Sequence, residues 1–260
     1  YKADDLTVMS EHIFDGSEVE GEPEQDQREI VDWAYQKQRD SLVWCVLSDG
    51  SLAALTINRE RGVLAWAPQK LGGDGIAEAV QAIPSPDGKT DDLWLIVRRT
   101  VNGVTQRSVE FMLDYRLVKK GAAEAVHVDC SVTYRGAAAS TIAGLAHLEG
   151  ELVSVCSNGS NHPERTVSGS SITLDGPATL AHVGYGYPSR LQTMRLEVQG
   201  SGGTSQTATK GIASVALRLQ STIGGKIGPT FDKMDELKVL NPAVPVGTPP
   251  ALKNGDVQIP

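Results

Sequence analysis

Several features of common protein classes are missing from this 260-residue sequence. No apolar run approaches the roughly 20 residues that a membrane-spanning helix needs, so we expect no membrane span. Aromatic residues make up only 5% of the chain, and the three cysteines, Cys45, Cys130 and Cys156, are widely spaced with no CxxC pair. An odd, scattered set of cysteines is typical of a protein made in a reducing compartment, without a disulfide framework.

Positive charge is scarce where a nucleic-acid-binding protein would need it. The formal net charge is -8 at pH 7. The whole excess lies in residues 1–40, which hold 12 acidic and 4 basic residues, whereas the remainder holds 20 of each. The chain therefore lacks the basic field that attracts nucleic acid. Gly21 and Pro23 interrupt the acidic run 18–26, which indicates a solvated loop, with a metal-binding loop as the alternative.

Catalytic and cofactor-binding signatures are absent as well. The sequence contains no GxSxG, HExxH or GxxxxGK[ST] motif, and the GSGG at 200–203 precedes neither a Lys-Ser/Thr pair nor a helix. The acid pairs Asp4-Asp5 and Asp91-Asp92 fall in loops or at strand starts, where adjacent side chains point to opposite faces. We therefore predict a protein that is not an enzyme and has no catalytic, cofactor-binding or metal-binding residues.

The histidines offer one metal hypothesis. They are His12, His127, His147, His162 and His182. The last three fall in one predicted domain with Cys156, and imidazole and thiolate are good zinc ligands. Their spacing is irregular and lacks paired ligands, so we favour isolated, hydrogen-bonded or surface histidines.

Strand signals, by contrast, are abundant. Residues 42–48 and 51–57 are β-rich runs joined across Ser48-Asp49-Gly50, and Asp-Gly between apolar runs predicts a hairpin. LWLIVRR and VTQRSVEFM form a second hairpin around Val101-Asn102-Gly103. Further strands are predicted at 30–35 and 63–67. The run 76–83 fits a short helix or a strand, and we favour a strand because Pro84 and Pro86 close it.

The two hairpins repeat one pattern, a Trp in an apolar run followed by a glycine turn and a second strand. Trp44 and Trp94 occupy matching positions in LVWCVL and LWLIV. Their apolar neighbours predict that both rings pack in a core between sheets, and not on a sugar-binding surface. A period of about 50 residues is typical of propeller blades with three or four strands.

The pattern changes after Lys119-Lys120-Gly121, where the strand signals become shorter and turns more frequent. We predict a mainly β fold, with partial propeller-like antiparallel sheets and an inserted small β-barrel or sandwich domain. The predicted parts are propeller-like blades at 1–120, the barrel or sandwich at 121–220, and an extended Pro-rich segment at 221–260.

Five longer phrases carry a resemblance to a known family. In chain order they are YKADDLTVMSEHIF, IVDWAYQKQRDSLVWCVLSDGSLAALTINRERGVLAWAPQ, DDLWLIVRRTVNG, TIAGLAHLEGELVSVCSNGSNHPERTVSGSSITL and ATLAHVGYGYPSRLQTM. Together they resemble the central part of the tail hub or nozzle protein (tail tubular protein B) of short-tailed phages and prophages. The chain opens on Tyr1, and we expect it to be a piece of a longer protein.

The resemblance implies a non-enzymatic structural protein of the virion tail, made in the host cytoplasm. Family members form a homo-oligomeric ring, a hexamer, beside portal, adaptor and tail proteins, and DNA passes through without specific binding. A balanced or acidic chain suits such a conduit, because dense Lys and Arg contacts would hold DNA by counterion release. We expect the acidic segment 15–32 to face the lumen or a basic neighbouring ring.

Two other functions are considered beside this one. The alternative is a carbohydrate-binding β module of a phage adsorption apparatus, with Trp66 as a candidate sugar contact. A hydrolase with its site on propeller loops is the third.

Overall fold

The structure is a computed structural model that describes residues 5–7, 10–14, 28–38, 40–114, 120–194, 211–237 and 252–259. Within these ranges the chain forms fifteen strands in five antiparallel sheets, none of which closes into a barrel. Among the described residues, helical structure is limited to α1 (Glu11–Phe14) and two 3-10 turns, Ala122–Glu124 and Ala146–Leu148. The prediction of a mainly β protein is confirmed.

The first sheet is a four-stranded meander in which each strand pairs with the next. Its strands are β1 (Ile30–Gln36), β2 (Leu42–Leu47), β3 (Leu52–Asn58) and β4 (Val63–Gln69). The hairpin predicted at Asp49-Gly50 joins β2 to β3. Asp49 Oδ1 accepts hydrogen bonds from the Ser51 amide at 2.8 Å and the Ser51 hydroxyl at 2.6 Å, which fixes the turn.

The second sheet repeats this arrangement with three strands. They are β5 (Ile76–Pro84), β6 (Asp91–Val101) and β7 (Val104–Phe111). Asn102 and Gly103 both have positive φ, 47° and 75°, which is the backbone of the two-residue turn predicted for Asn-Gly. The strand predicted at 76–83 is confirmed as β5.

The two sheets pack face to face around one apolar core. Its buried members are Ala34, Trp44, Val46, Leu52, Ala54, Ala77, Val80, Leu93, Leu95 and Val97. Two hydrogen bonds pin the start of the second sheet to the first: the Ala77 amide donates to the Gly50 carbonyl at 2.9 Å, and the Val80 amide donates to Asp32 Oδ2 at 2.9 Å. The contact between the sheets therefore combines apolar burial with specific polar pairing.

Trp44 and Trp94 do not occupy equivalent places. Trp44 is 5% exposed in the core between the sheets, as predicted. Trp94 is half-buried on the opposite face of its sheet, with its ring centroid 5.2 Å from that of Phe111. The prediction of a core position is wrong for Trp94, because its neighbours Leu93 and Leu95 face the core and alternation then turns Trp94 outward.

The outer face of the first sheet is partly covered by α1. Ile13 and Phe14 pack there with Cys45, Leu47 and Trp66. The Trp66 indole meets the Phe14 ring edge-on at 5.1 Å between centroids and donates from Nε1 to the Leu6 carbonyl at 2.9 Å. Trp66 therefore holds the helix in place.

The third sheet has the order β10-β9-β11-β8, with a separate core. Its strands are β8 (Asp129–Ala143), β9 (Leu152–Ser157), β10 (Ser160–Thr166) and β11 (Ser171–Tyr185). The core comprises Ile142, Leu145, Leu148, Val153, Val155, Val167, Ile172, Leu174, Ala178, Ala181, Val183 and Tyr185. Strand β10 begins directly after a tight turn at Asn158-Gly159, where both residues have positive φ.

Two short ribbons follow. Strand β12 (Val215–Thr222) pairs with β15 (Lys253–Ile259), and β13 (Lys226–Thr230) pairs with β14 (Lys233–Glu236). Burial alternates along the first part of β12, since Val215, Leu217 and Leu219 are half-buried between exposed neighbours. The division of the chain at 120 and 220 stays a prediction.

Candidate functional site

A group of buried polar side chains lies where the second and third sheets meet. We call it the polar junction; its members are Arg99 of β6, Ser108 and Glu110 of β7, Asp129 and Cys130 of β8, and Tyr185 of β11. The loop 71–75 between the first two sheets closes over it. The second and third sheets therefore supply the residues of this site, and the loop that leaves the first sheet covers it.

Arg99 is the centre of the polar junction and is only 3% exposed. Its Nε donates to the Gly72 carbonyl at 2.9 Å, and its Nη1 forms an ion pair with Glu110. Its guanidinium carbon lies 5.7 Å from the centroid of the Tyr185 ring, which is cation-π distance. One side chain thus connects β7, the 71–75 loop and β11.

The 71–75 loop, with sequence LGGDG, approaches the polar junction too closely for most side chains. A Cβ on Gly73 would lie 2.5 Å from the Tyr185 ring, and the φ of Gly73 is +65°. A Cβ on Gly75 would lie 3.0 Å from Arg99 Nε. Glycine is required here because the backbone itself packs on the ring and the guanidinium.

Two carboxylates balance the buried guanidinium. Glu110 also accepts a hydrogen bond from the Ser108 hydroxyl at 2.5 Å, and Asp129 Oδ2 accepts one from the Gly72 amide at 2.7 Å. Burial raises the pKa of Asp129 above its ordinary value, although the Gly72 amide and the Arg99 charge oppose the shift. Desolvation is therefore the larger influence on this carboxyl.

The thiol and the phenol of the polar junction are held in their neutral forms. Burial raises the pKa of Cys130 to about 11, with the nearby Glu110 carboxylate as the next cause. Burial likewise raises the pKa of Tyr185 to about 12, helped by the negative charge of Glu151. A neutral thiol is a poor nucleophile, so Cys130 is suited to packing.

Two atoms of the polar junction have no hydrogen-bond partner among the residues that the structure describes. Arg99 Nη2 and the Tyr185 hydroxyl are both buried without one. The Glu151 carboxylate lies close enough to the Tyr185 hydroxyl to raise its pKa, although the two do not meet in a hydrogen bond of ordinary geometry. Cys130 adds backbone strain, since its φ is +49°. Unpaired buried polar atoms and a strained backbone residue therefore lie within a few side chains of each other in the polar junction.

The raised pKa of Asp129 predicts a pH-dependent stability difference for an Asp129→Asn variant. The folded state binds the proton of the Asp129 carboxyl more tightly than the unfolded chain does. Loss of this proton therefore destabilises the folded state as the pH rises from the unfolded pKa through the folded pKa. Asparagine does not ionise. The free energy of unfolding of the variant minus that of the parent should therefore increase between about pH 3 and pH 7 in urea titrations.

A Glu78→Gln variant is the matched control on the second sheet. Hydrogen bonds and charge from Arg107 and Arg98 hold the pKa of Glu78 below its ordinary value. Its ionised form therefore favours folding, and the same difference should decrease over the same pH range. If this difference in the free energy of unfolding changed with pH in the same direction for both variants, the explanation given for Asp129 would be contradicted.

The histidines proposed as zinc ligands are engaged in separate hydrogen bonds. His182 lies between the Thr133 hydroxyl at 2.9 Å and the Ala123 carbonyl at 2.8 Å. His147 Nε2 lies 3.1 Å from the Cys130 carbonyl, and His162 accepts from the Asp175 amide at 3.0 Å. In the part of the chain that the structure describes, no three His, Cys, Asp or Glu residues are grouped to hold a metal ion.

Of the remaining candidate residues from the sequence, the structure describes only some. Asp91 Oδ2 accepts a hydrogen bond from the Gln38 amide at 2.8 Å, so this carboxylate helps join the first two sheets. Asp4, the GSGG at 200–203 and residues 15–27 of the acidic segment lie outside the described residues.

One part of the outer face of the second sheet is apolar and exposed, next to the Glu78, Arg98 and Arg107 ion pairs on the same face. We call it the open face; it consists of the cross-strand pairs Trp94–Phe111 and Ile96–Val109. Phe111 is 51% exposed and Val109 is 70% exposed. A patch formed by two adjacent cross-strand pairs is more than the scattered apolar residues that any surface contains.

The outer face of the first sheet is also apolar along β1. Val31, Trp33 and Tyr35 follow one another on one side of this strand, and Trp33 is 63% exposed. Both outer faces of the two-sheet unit are therefore suited to contact with another body.

No family model matches the chain, and no curated protein matches it. Across the described ranges, no helix is long and apolar enough to cross a membrane.

Proposed function

We propose that this protein is a structural component of a short-tailed phage tail, forming part of the hub or nozzle ring through which DNA is delivered. The observation that carries the proposal is the pair of meander sheets, packed face to face, with apolar residues exposed on both outer faces. Neighbouring propeller blades stack in this way, each covering one face of the next. The resemblance of the sequence phrases to the tail hub family supports the same class.

The two-sheet unit is the blade-like part of the proposed ring protein, and the third sheet is its added β domain. The polar junction ties this domain to β6 and β7 through Arg99, Glu110 and Tyr185. A component of an assembled ring benefits from such a connection, because a buried ion pair with fixed geometry resists relative sliding of the sheets. The protein acts in this proposal by assembly and not by catalysis.

The charge distribution supports passage of DNA without retention. The chain outside residues 1–40 is balanced at 20 basic and 20 acidic residues. Basic side chains described on the second sheet are largely paired within it, since Arg99 pairs with Glu110, and Arg98 and Arg107 share the one carboxylate of Glu78. Paired cations release few counterions from DNA, so they hold it weakly.

A carbohydrate-binding module is the second candidate, favoured by the exposed aromatic pair Trp33 and Tyr35 on β1. Aromatic rings displayed along one strand offer sugars an apolar surface. Trp66, the candidate sugar contact in the sequence, is instead packed against Phe14.

Negative-stain microscopy of the longest natural form of the protein separates the two candidates. Rings with a central pore support the tail hub proposal. A monomer at all concentrations, combined with glycan-array binding that a Trp33→Ala substitution abolishes, overturns it in favour of the carbohydrate module.

A further inference from the structure

Asparagine is followed by glycine at three places in the described part of the chain, namely 102–103, 158–159 and 254–255. In such a pair the backbone nitrogen of the glycine can attack the side-chain amide carbon of the asparagine, because glycine has no Cβ to obstruct the approach. The reaction removes the amide nitrogen and requires that both groups are free to move in the folded chain. The structure therefore decides which of the three pairs is reactive.

The pair Asn102-Gly103 is free in this sense. It forms the exposed turn between β6 and β7. Among the described residues, neither the side-chain amide of Asn102 nor the backbone amide of Gly103 has a hydrogen-bond partner. Beyond the chain neighbours of Gly103, no atom lies within 4 Å of its Cβ position, so the glycine side of the turn is open. The two reacting groups can approach each other without first breaking a hydrogen bond of their own.

The pair Asn158-Gly159 has the same turn geometry but is held in place. The φ angles of its two residues are 50° and 81°, against 47° and 75° in the β6–β7 turn. Asn158 Oδ1 accepts hydrogen bonds from the amides of Thr179 and Leu180 at 3.1 and 3.2 Å. The Gly159 amide donates to the Cys156 thiol. Both reacting groups must leave these partners before they can meet.

The third pair is held through its asparagine. Asn254 Oδ1 accepts from the Ser221 amide at 2.8 Å, and Asn254 Nδ2 donates to the Leu252 carbonyl at 3.4 Å. Asn102 is therefore the one asparagine of the three whose side-chain amide is free among the described residues.

We propose that Asn102 is a deamidation site, at which the folded protein slowly converts asparagine to aspartate and isoaspartate. The Gly103 backbone nitrogen loses its proton to the solvent and forms a bond to Cγ of Asn102. The bond from Cγ to Nδ2 breaks, the amide nitrogen takes up a proton and leaves as ammonia, and a succinimide ring remains. Water then opens the ring at either of its carbonyl carbons, which gives aspartate or isoaspartate without any oxidation or reduction. This inference rests on the turn and not on the proposed function.

The product places a new negative charge at the contact between the second and third sheets. The backbone amide of Asn102 donates to Glu151 Oε1 at 2.8 Å, and a Cβ on Gly150 would lie 3.3 Å from Asn102 Cγ. A carboxylate at position 102 therefore lies near that of Glu151, and like charges repel. Isoaspartate also adds a methylene to the backbone of a tight turn. Both changes weaken this contact, which reaches Tyr185 of the polar junction through Glu151.

The first test is mass-spectrometric peptide mapping of the whole chain after incubation at mildly alkaline pH. Position 102 should show the mass of the acid and should accept methyl groups from an isoaspartate methyltransferase. In the folded protein it should convert at least about tenfold faster than positions 158 and 254, where hydrogen bonds must break first. In urea, where no fold protects them, the three rates should converge. No conversion at 102, an equal rate at 158 or 254 in the folded protein, or the same ratio of rates in urea would each overturn the proposal.

A second test follows the contact with the third sheet and uses Asn102→Gly as the matched control. Glycine at 102 keeps the left-handed turn and the backbone bond to Glu151 but has no amide to lose. The converted parent protein, separated by ion exchange, should exchange its amide hydrogens at residues 149–152 about fivefold faster than the unconverted parent, because of the added charge repulsion. The incubated Asn102→Gly variant should be unchanged. Equal exchange in the converted and unconverted parent, or the same acceleration in the variant, would overturn the effect on this contact.

Discussion

An Arg99→Ala variant should lose about 3–5 kcal/mol of the free energy of unfolding, the range measured when one partner of a buried ion pair is removed. Arg99 is 3% exposed and is the counterion of Glu110 inside the polar junction. Its removal leaves the Glu110 carboxylate buried near Asp129 without positive charge, and leaves the Gly72 carbonyl without its donor. Urea unfolding monitored by tryptophan fluorescence measures the loss.

Arg98→Ala is the matched control, one residue along the same strand. Arg98 is paired with Glu78 at 3.0 Å, but its side chain is 36% exposed. Solvent-screened pairs contribute about 0–1 kcal/mol, so this variant should remain close to the parent. Arg99→Met combined with Glu110→Gln removes both charges of the buried pair, and should be at least about 1 kcal/mol more stable than Arg99→Met alone. The buried-pair explanation would be contradicted if Arg98→Ala and Arg99→Ala lost equal stability, or if the double variant were no more stable than Arg99→Met alone.

A Gly73→Ala variant should lose about 2–4 kcal/mol, the sum of left-handed backbone strain and overpacking. The φ of Gly73 is +65°, and its new Cβ would lie 2.5 Å from the Tyr185 ring. The ring cannot move aside easily, because Tyr185 is 6% exposed and belongs to the core of the third sheet. Thermal and urea unfolding should both report the loss.

A Gly62→Ala variant separates the cost of left-handed backbone strain from the cost of overpacking against a neighbouring side chain. Gly62 has nearly the same φ, +62°, but no atom lies within 4 Å of its Cβ position. This variant should therefore lose only the backbone contribution, about 1 kcal/mol. If the two glycine variants lose equal stability, the close packing of the 71–75 loop on Tyr185 has no energetic consequence.

Local chemistry in the sequence was sufficient to predict the strands of the first two sheets. Asp49-Gly50 and Asn102-Gly103 mark both hairpins, because turn residues act over a few positions of chain. The same local view fails for Trp94. Its neighbours resemble those of Trp44, but a shift of one residue in the core-facing alternation places the ring outside.

The polar junction was not predicted, because its members come from distant parts of the sequence. Arg99, Asp129 and Tyr185 are brought together only by tertiary packing, and none lies in a recognisable motif. The glycines of LGGDG at 71–75 were the available signal, since clustered glycine often marks close backbone approach. The second half of β10 was also not predicted, because Pro163 is unusual within a strand. The strand accommodates this proline at a register shift between His162 and Arg165.

The register of the β8–β11 ladder leads to a hypothesis about the order in which the third sheet folds. The ladder joins Ala143 to Ser171 at its near end and Asp129 to Tyr185 at its far end, and the enclosed chain doubles in length between them. Each doubling of a loop costs about 0.6 kcal/mol in closure entropy, so we expect pairing to start near Ala143 and proceed toward Tyr185. Tyr185 would then reach Arg99 after the rate-limiting step. The hypothesis requires that Arg99→Ala and Gly73→Ala accelerate unfolding while leaving the folding rate nearly unchanged in stopped-flow measurements, and a slower folding rate in either variant would refute it.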